Sequence, residues 1–137
     1  MTTAIRYYSK FGHSEKLAQA IGEVAKTTPA TVATPLEGKV DVLYLVAGIF
    51  LGKINKDMIQ FIKNLKPEQV GKVVLVGSSA LIQDPVKEMK DALKEVGIAV
   101  HERTFSCKGS MGPLHGGHPS SEDIDVLKLF VASIQGE

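Results

Sequence analysis

The chain has 137 residues, enough for one domain whose core needs no metal or disulfide to hold it, and the expectation is a single domain over residues 1–137. With 44% apolar and 23% charged residues and a formal net charge of +1, it is globular in composition and carries no field to draw nucleic acid or an anionic membrane. The longest uncharged apolar run, residues 42–51, is about half of a bilayer crossing; no leader precedes Arg6, and the single Cys107 fits a reducing compartment, so a cytoplasmic protein is expected.

Residues 4–8, Ala-Ile-Arg-Tyr-Tyr, read as a buried strand. A six-residue turn follows, Ser9-Lys10-Phe11-Gly12-His13-Ser14, and from Glu15 a helix places Leu17, Ile21 and Val24 on one face. The helix fades at Thr27-Thr28-Pro29. Residues 30–33 form a weak strand near an edge, with a turn at Thr34-Pro35 and Gly38. Residues 41–46 are stronger: Val42-Leu43-Tyr44-Leu45-Val46 is unbroken, as in a strand covered on both faces. A loop spans residues 47–53. Asn55 then caps a helix with Met58, Ile59, Ile62 and Leu65 on one side, closed by Pro67 and Gly71.

Residues 72–77 make another fully apolar strand, followed by a loop over residues 78–83. Asp84 and Pro85 read as the cap and first turn of a helix that carries Val86, Met89, Leu93 and Val96 inward and stops at Gly97 in a left-handed turn. Residues 98–105 read as a longer strand, leading to a glycine-rich segment from Cys107 to Gly117. Ser120 with Asp123 forms a capping box for the last helix, whose inward stripe is Ile124, Leu127, Val131 and Ile134.

The order is therefore β-α-β-β-α-β-α-β-α, lacking a helix between the second and third strands, with no tandem repeat or linker. Strands alternating with helices predict a parallel sheet covered on both faces. In the order 2-1-3-4-5 the first and third strands flank the switch point, where ligands bind beyond the carboxyl ends of the strands. Three loops meet there. The first presents free backbone N–H groups, two hydroxyls and the positive end of a helix, a setting for a phosphate.

These residues resemble the flavodoxin family over nearly the whole chain. The family's T/S-x-T/S-G-x-T/S turn, which wraps the phosphate of FMN, is matched by Ser9, Gly12 and Ser14. The segment Ala47-Gly48-Ile49-Phe50-Leu51-Gly52-Lys53-Ile54 resembles its second flavin loop, and the stretches around Phe105 to Gly109 and Gly117 to Asp123 resemble the tail of short members. The resemblance implies a flavodoxin-like three-layer sandwich and an FMN site. Ser9, Lys10, Phe11, Gly12, His13 and Ser14 would surround the phosphate, and Ala47, Gly48, Ile49, Phe50, Leu51 and Gly52 the ring, with Ser78, Ser79 and Ala80 nearby. It implies a glycine peptide beside the flavin N5, at Gly48 or Gly52, that turns as the flavin is reduced. It also implies electron transfer between a reductase and an acceptor protein. The chain departs from the family at Phe11, which replaces a hydroxyl. It departs again at Leu51, where an aromatic often stacks and Phe50 is the one left to do so. Its charge is near neutral where flavodoxins are acidic, which predicts a less negative potential.

Other readings use the same residues differently. A quinone or NAD(P)H reductase would need room beside the ring, which Ser79 and Ala80 leave. A cofactor-free interaction domain would fit the changes at Phe11 and Leu51. A receiver domain would need acidic residues where Arg6, Tyr7, Tyr8 and Ser9 stand. Phe50 and Leu51 would suit contact with a partner or a weak homodimer. His101, His115 and His118 lack metal-ligand spacing, and Cys107 reads as an inert thiol.

Overall fold

The computed structural model describes residues 2–8, 12–49, 54–79, 86–108 and 120–137. The elements, in order, are β1 (Thr3–Tyr7), α1 (His13–Ala25), β2 (Ala30–Thr31), β3 (Val40–Ile49), α2 (Lys56–Lys63), β4 (Val70–Ser79), α3 (Lys87–Glu95), β5 (Phe105–Lys108) and α4 (Ser121–Gln135). The five strands form one parallel sheet in the order β2-β1-β3-β4-β5, as the alternation of elements predicts.

The apolar runs of β3 and β4 divide between two cores by the period of two. Val42, Tyr44, Val46, Val74 and Val76 join Leu17 and Ile21 of α1 and Leu127, Val131 and Ile134 of α4. Leu43, Leu45, Val73 and Leu75 join Met58 and Ile62 of α2 and Met89 and Leu93 of α3. Helices therefore cover both faces. Phe61, absent from the expected stripe of α2, is buried in the second core as well.

Caps set the helix ends where the sequence places them. Asn55 Oδ1 accepts from Asp57 N–H at 2.7 Å, and Ser120 and Asp123 form the reciprocal capping box of α4. Each such cap contributes about 1 kcal/mol. Gly97 takes the left-handed conformation (φ +77°) after α3. Asp84 and Pro85 lie outside the described residues, and α3 runs from Lys87 with Val86 before it.

Several strand boundaries differ from expectation. The strand predicted over residues 98–105 is instead β5 from Phe105, preceded by a single bridge, Val73↔Val100. From that bridge to the pair Val76↔Phe105, β4 advances three residues while the other strand advances five. The reason is local. Arg103 N–H donates to His101 Nδ1 at 3.0 Å, so this stretch bonds to its own side chain rather than to the ladder. Conversely, β3 and β4 run past the predicted loop starts, placing Ala47, Gly48, Ile49, Ser78 and Ser79 in paired strands.

Candidate functional site

The carboxyl ends of the strands are not level. β1 pairs with β3 only as far as Tyr7↔Val46, whereas β3 pairs with β4 through Ile49↔Ser79. A three-residue step results at the switch point between β1 and β3, the place where this architecture binds ligands.

The first βα junction rises against that step. Gly12 precedes α1 with φ +85° and ψ −3°, a left-handed turn that a side chain adopts only at a cost, and among the described residues no atom beyond its chain neighbours lies within 4 Å of where its Cβ would stand. The helix starts at His13, two residues before the expected Glu15, so His13 and Ser14 occupy its first turn. Lys16 N–H donates to Gly12 O at 3.2 Å and closes that turn. The N–H groups before it are the ones a helix leaves without intrahelical partners.

Ser14 and Ser78 are buried, and Gly48 lies between them. A Cβ on Gly48 would stand 2.9 Å from Ser78 Oγ, 3.3 Å from Ser78 O and 3.9 Å from Ser14 Oγ. Glycine at this position thus has a packing cause: it lets two hydroxyls and a strand share one spot. The structure brings together Gly12, Ser14, Gly48 and Ser78 from three different junctions. Ala47 is buried in the α2–α3 core rather than exposed in a loop. Ser9, Lys10, Phe11, Phe50, Leu51, Gly52 and Ala80 lie outside the described residues, as do the side chains of Ile49 and Ser79.

Charges of both signs, Glu15 and Lys16, stand on the first turns of α1 beside the junction. Burial, with Lys16 adding to it, lowers the pKa of His13, which favours the neutral ring at the helix start. Burial, reinforced by Glu15, raises Tyr7. Cys107 pairs with Ser78 across β4 and β5, and burial pushes its thiol up to about 12, with Asp123 adding to the effect. That thiol stays protonated and is a poor nucleophile.

Two features escaped the sequence reading. Glu88 of α3 accepts from Ile54 N–H at 3.3 Å and ties down the exit of the second loop. Only a long-range contact reveals it. A groove of about 830 Å³ also opens between β1, β2 and α2, lined by Tyr8, Val32, Leu36, Phe61, Asn64 and Leu65. It lies where a helix between β2 and β3 would otherwise pack, so the missing element was its signal.

No protein-family model matches the chain, and no curated protein matches it. Solved structures do. A short-chain flavodoxin associated with a non-canonical PDU bacterial microcompartment is 18% identical with a TM-score of 0.75, over 99% of this chain and 98% of that one. Oxidised flavodoxin 2 from Bacillus cereus is 15% identical with a TM-score of 0.73, over 99% of both chains. The rubredoxin oxygen:oxidoreductase of Desulfovibrio gigas is 16% identical with a TM-score of 0.74, over 96% of this chain and 34% of that longer one. The fold is that of the flavodoxins.

Proposed function

We propose that this chain of flavodoxin fold binds FMN at the β1–β3 step and acts as a small electron carrier between protein partners. The observation that carries the proposal is the convergence of left-handed Gly12, the first turn of α1 and the buried Ser14 and Ser78 at the switch point. These residues fit a phosphate. Among the described residues nothing beyond its neighbours crowds Gly12, which would let an oxygen approach the backbone; Ser14 offers a hydroxyl, and the helix start supplies positive potential.

When bound, FMN supplies one- and two-electron redox chemistry. The chain's own residues hold and shield it. By the flavodoxin resemblance, Ser9, Lys10 and Phe11 would complete the phosphate turn, while Ile49, Phe50 and Leu51 would exclude water from the ring. Ser78, Ser79 and Ala80 border it on the β4 side. Of the two glycines that would sit beside the ring, Gly48 is held in the β3–β4 ladder opposite Ser78, and Gly52 lies outside the described residues. The proposal places the protein in the cytoplasm. Its support is a single cysteine, free of any disulfide, and the lack, among the described residues, of any helix long and apolar enough to cross a membrane.

Titration of the apoprotein with FMN, followed by flavin fluorescence, tests the reading. Wild type binds and is stabilised against heat, and Ser14→Ala weakens binding about tenfold, the value of one hydrogen bond to a charged group. A protein that stays colourless after desalting from excess FMN, with an unmoved melting temperature, overturns it. Measured turnover of NAD(P)H with a quinone would replace the carrier with a reductase.

A further inference from the structure

α4 is apolar on more than its buried side. Leu127, Val131 and Ile134 face inward, yet Val126 and Leu129 are 52% and 73% exposed, the large apolar side chains left in solvent among the described residues. At 3.6 residues per turn, Glu122, Val126, Leu129 and Ser133 fall in one outward stripe. The stripe is charged in opposite senses at its two ends. Glu122 stands at the first turn, while at the other end Arg103 Nη2 donates to Ser133 Oγ at 2.8 Å and to Glu137 Oε2 at 3.1 Å, a carboxylate it shares with Lys72, and the guanidinium lies 5.7 Å from the centre of the Phe130 ring.

From this pattern we propose that the outer face of α4 is a self-association surface, on which a second copy packs antiparallel about a twofold axis. The pairs Glu122/Ser133 and Val126/Leu129 share one midpoint, between residues 127 and 128. A twofold axis at that point sets Val126 on Leu129 of the second copy and Glu122 on the Arg103 anchored at the second copy's Ser133, and each contact occurs twice. Asp125, beside the stripe, meets the same Arg103. Lys128 is engaged by Glu23 of α1 at 2.6 Å and stays out of the seam. Self-complementarity of this kind is what an isologous interface requires, and antiparallel helix dipoles add to it. One helix face covers less than the ~800 Å² per partner of a stable complex, so the dimer is weak and concentration-dependent.

Sedimentation velocity of the full chain, from about 10 μM to about 1 mM where interfaces of this size associate, tests the proposal. The average mass rises from 14.7 kDa toward twice that value in the wild type. Leu129→Glu stays monomeric throughout. Glu122→Arg, which sets like charges on Arg103, weakens association at least tenfold, and Glu95→Arg on the far face leaves it unchanged. All are exposed positions, and an unchanged melting temperature confirms that each variant folds. A wild type that remains monomeric through the range overturns the proposal. So does a dimer that Leu129→Glu leaves intact.

Discussion

At the amino end of the sheet, the carboxylate of Glu137 gathers His101, Lys72 and Arg103 within 3.2 Å. At the carboxyl end, the buried polar side chains at the β1–β3 step are the hydroxyls of Ser14 and Ser78, with Gly48 between them. The amino end spends its polar groups on one another. Arg103 N–H donates to His101 Nδ1, which leaves the ring proton on Nε2 to donate to Glu137, and Thr2 and Asp41 close the neighbouring corner through bonds of 2.8–3.1 Å. The carboxyl end has small residues placed close together, and no described side chain crowds Gly12. One end is cross-braced and the other is where the proposed function places an anion, and substitutions at the two ends should separate stability from binding.

The largest effect is expected at Gly12. Valine there must adopt φ +85° and sets a branched side chain into the space beside the helix start. FMN affinity falls about 100-fold, equivalent to ~2.7 kcal/mol, while the apoprotein loses about 1–2 kcal/mol for the left-handed turn. Fluorescence titration and urea denaturation of the apoprotein read the two numbers separately. A Gly12→Val protein that binds FMN as wild type does would remove this junction from the site.

Gly71 makes the opposite test. A Cβ there would stand 2.6 Å from Asp41 O and 3.3 Å from two further Asp41 backbone atoms, none of which can rotate aside. Asp41 is itself held by Thr2, so the strain spreads through the corner. Gly71→Ala should cost about 2 kcal/mol as overpacking and leave FMN affinity unmoved. Gly48→Ala, whose nearest obstacle is the rotatable Ser78 hydroxyl, should cost about half as much stability yet weaken FMN, because that hydroxyl is displaced.

How far the sequence reveals these two ends differs, for physical reasons. The strands of the sheet interior were legible, since runs such as Val42 to Val46 have no other stable home than a strand buried on both faces. Asn55, Gly97 and the Ser120–Asp123 box were legible because capping is local chemistry. The first junction was recognisable from Ser9, Gly12 and Ser14, but its helix starts earlier than periodicity suggests, since His13 and Ser14 add nothing to the apolar stripe. Gly48 and Ser78 looked like loop residues because small side chains carry no strand signal, and only the partner strand shows that they need each other. The brace at Glu137 was invisible. It joins His101, Lys72 and Arg103 across 34 to 65 residues of chain, and the strand expected at residues 98–105 was diverted by the separate Arg103 N–H bond to the His101 ring.

The smallest effect concerns acid, and it resides in that brace. Hydrogen bonding from His101, then from Lys72 and Arg103, lowers the Glu137 carboxyl from 4.5 to about 2. A folded-state pKa below the unfolded one means that the contribution is complete above pH 4.5 and is lost as pH falls toward 2. The side chain is 40% exposed, so solvent screens the pair and the change is modest. Asp41, held down by Thr2, and Asp91, held down by Lys87, titrate in the same direction. Glu137→Gln should therefore lower the melting temperature at neutral pH slightly and flatten, without abolishing, its fall between pH 4.5 and 2. FMN affinity should not follow that fall at the mildly acidic end, because the brace lies at the opposite end of the strands from the β1–β3 step. A melting curve in which Glu137→Gln parallels wild type down to pH 2 would mean that the carboxylate only decorates this corner, and the contrast between the two ends would then rest on Asp41 and Thr2 alone.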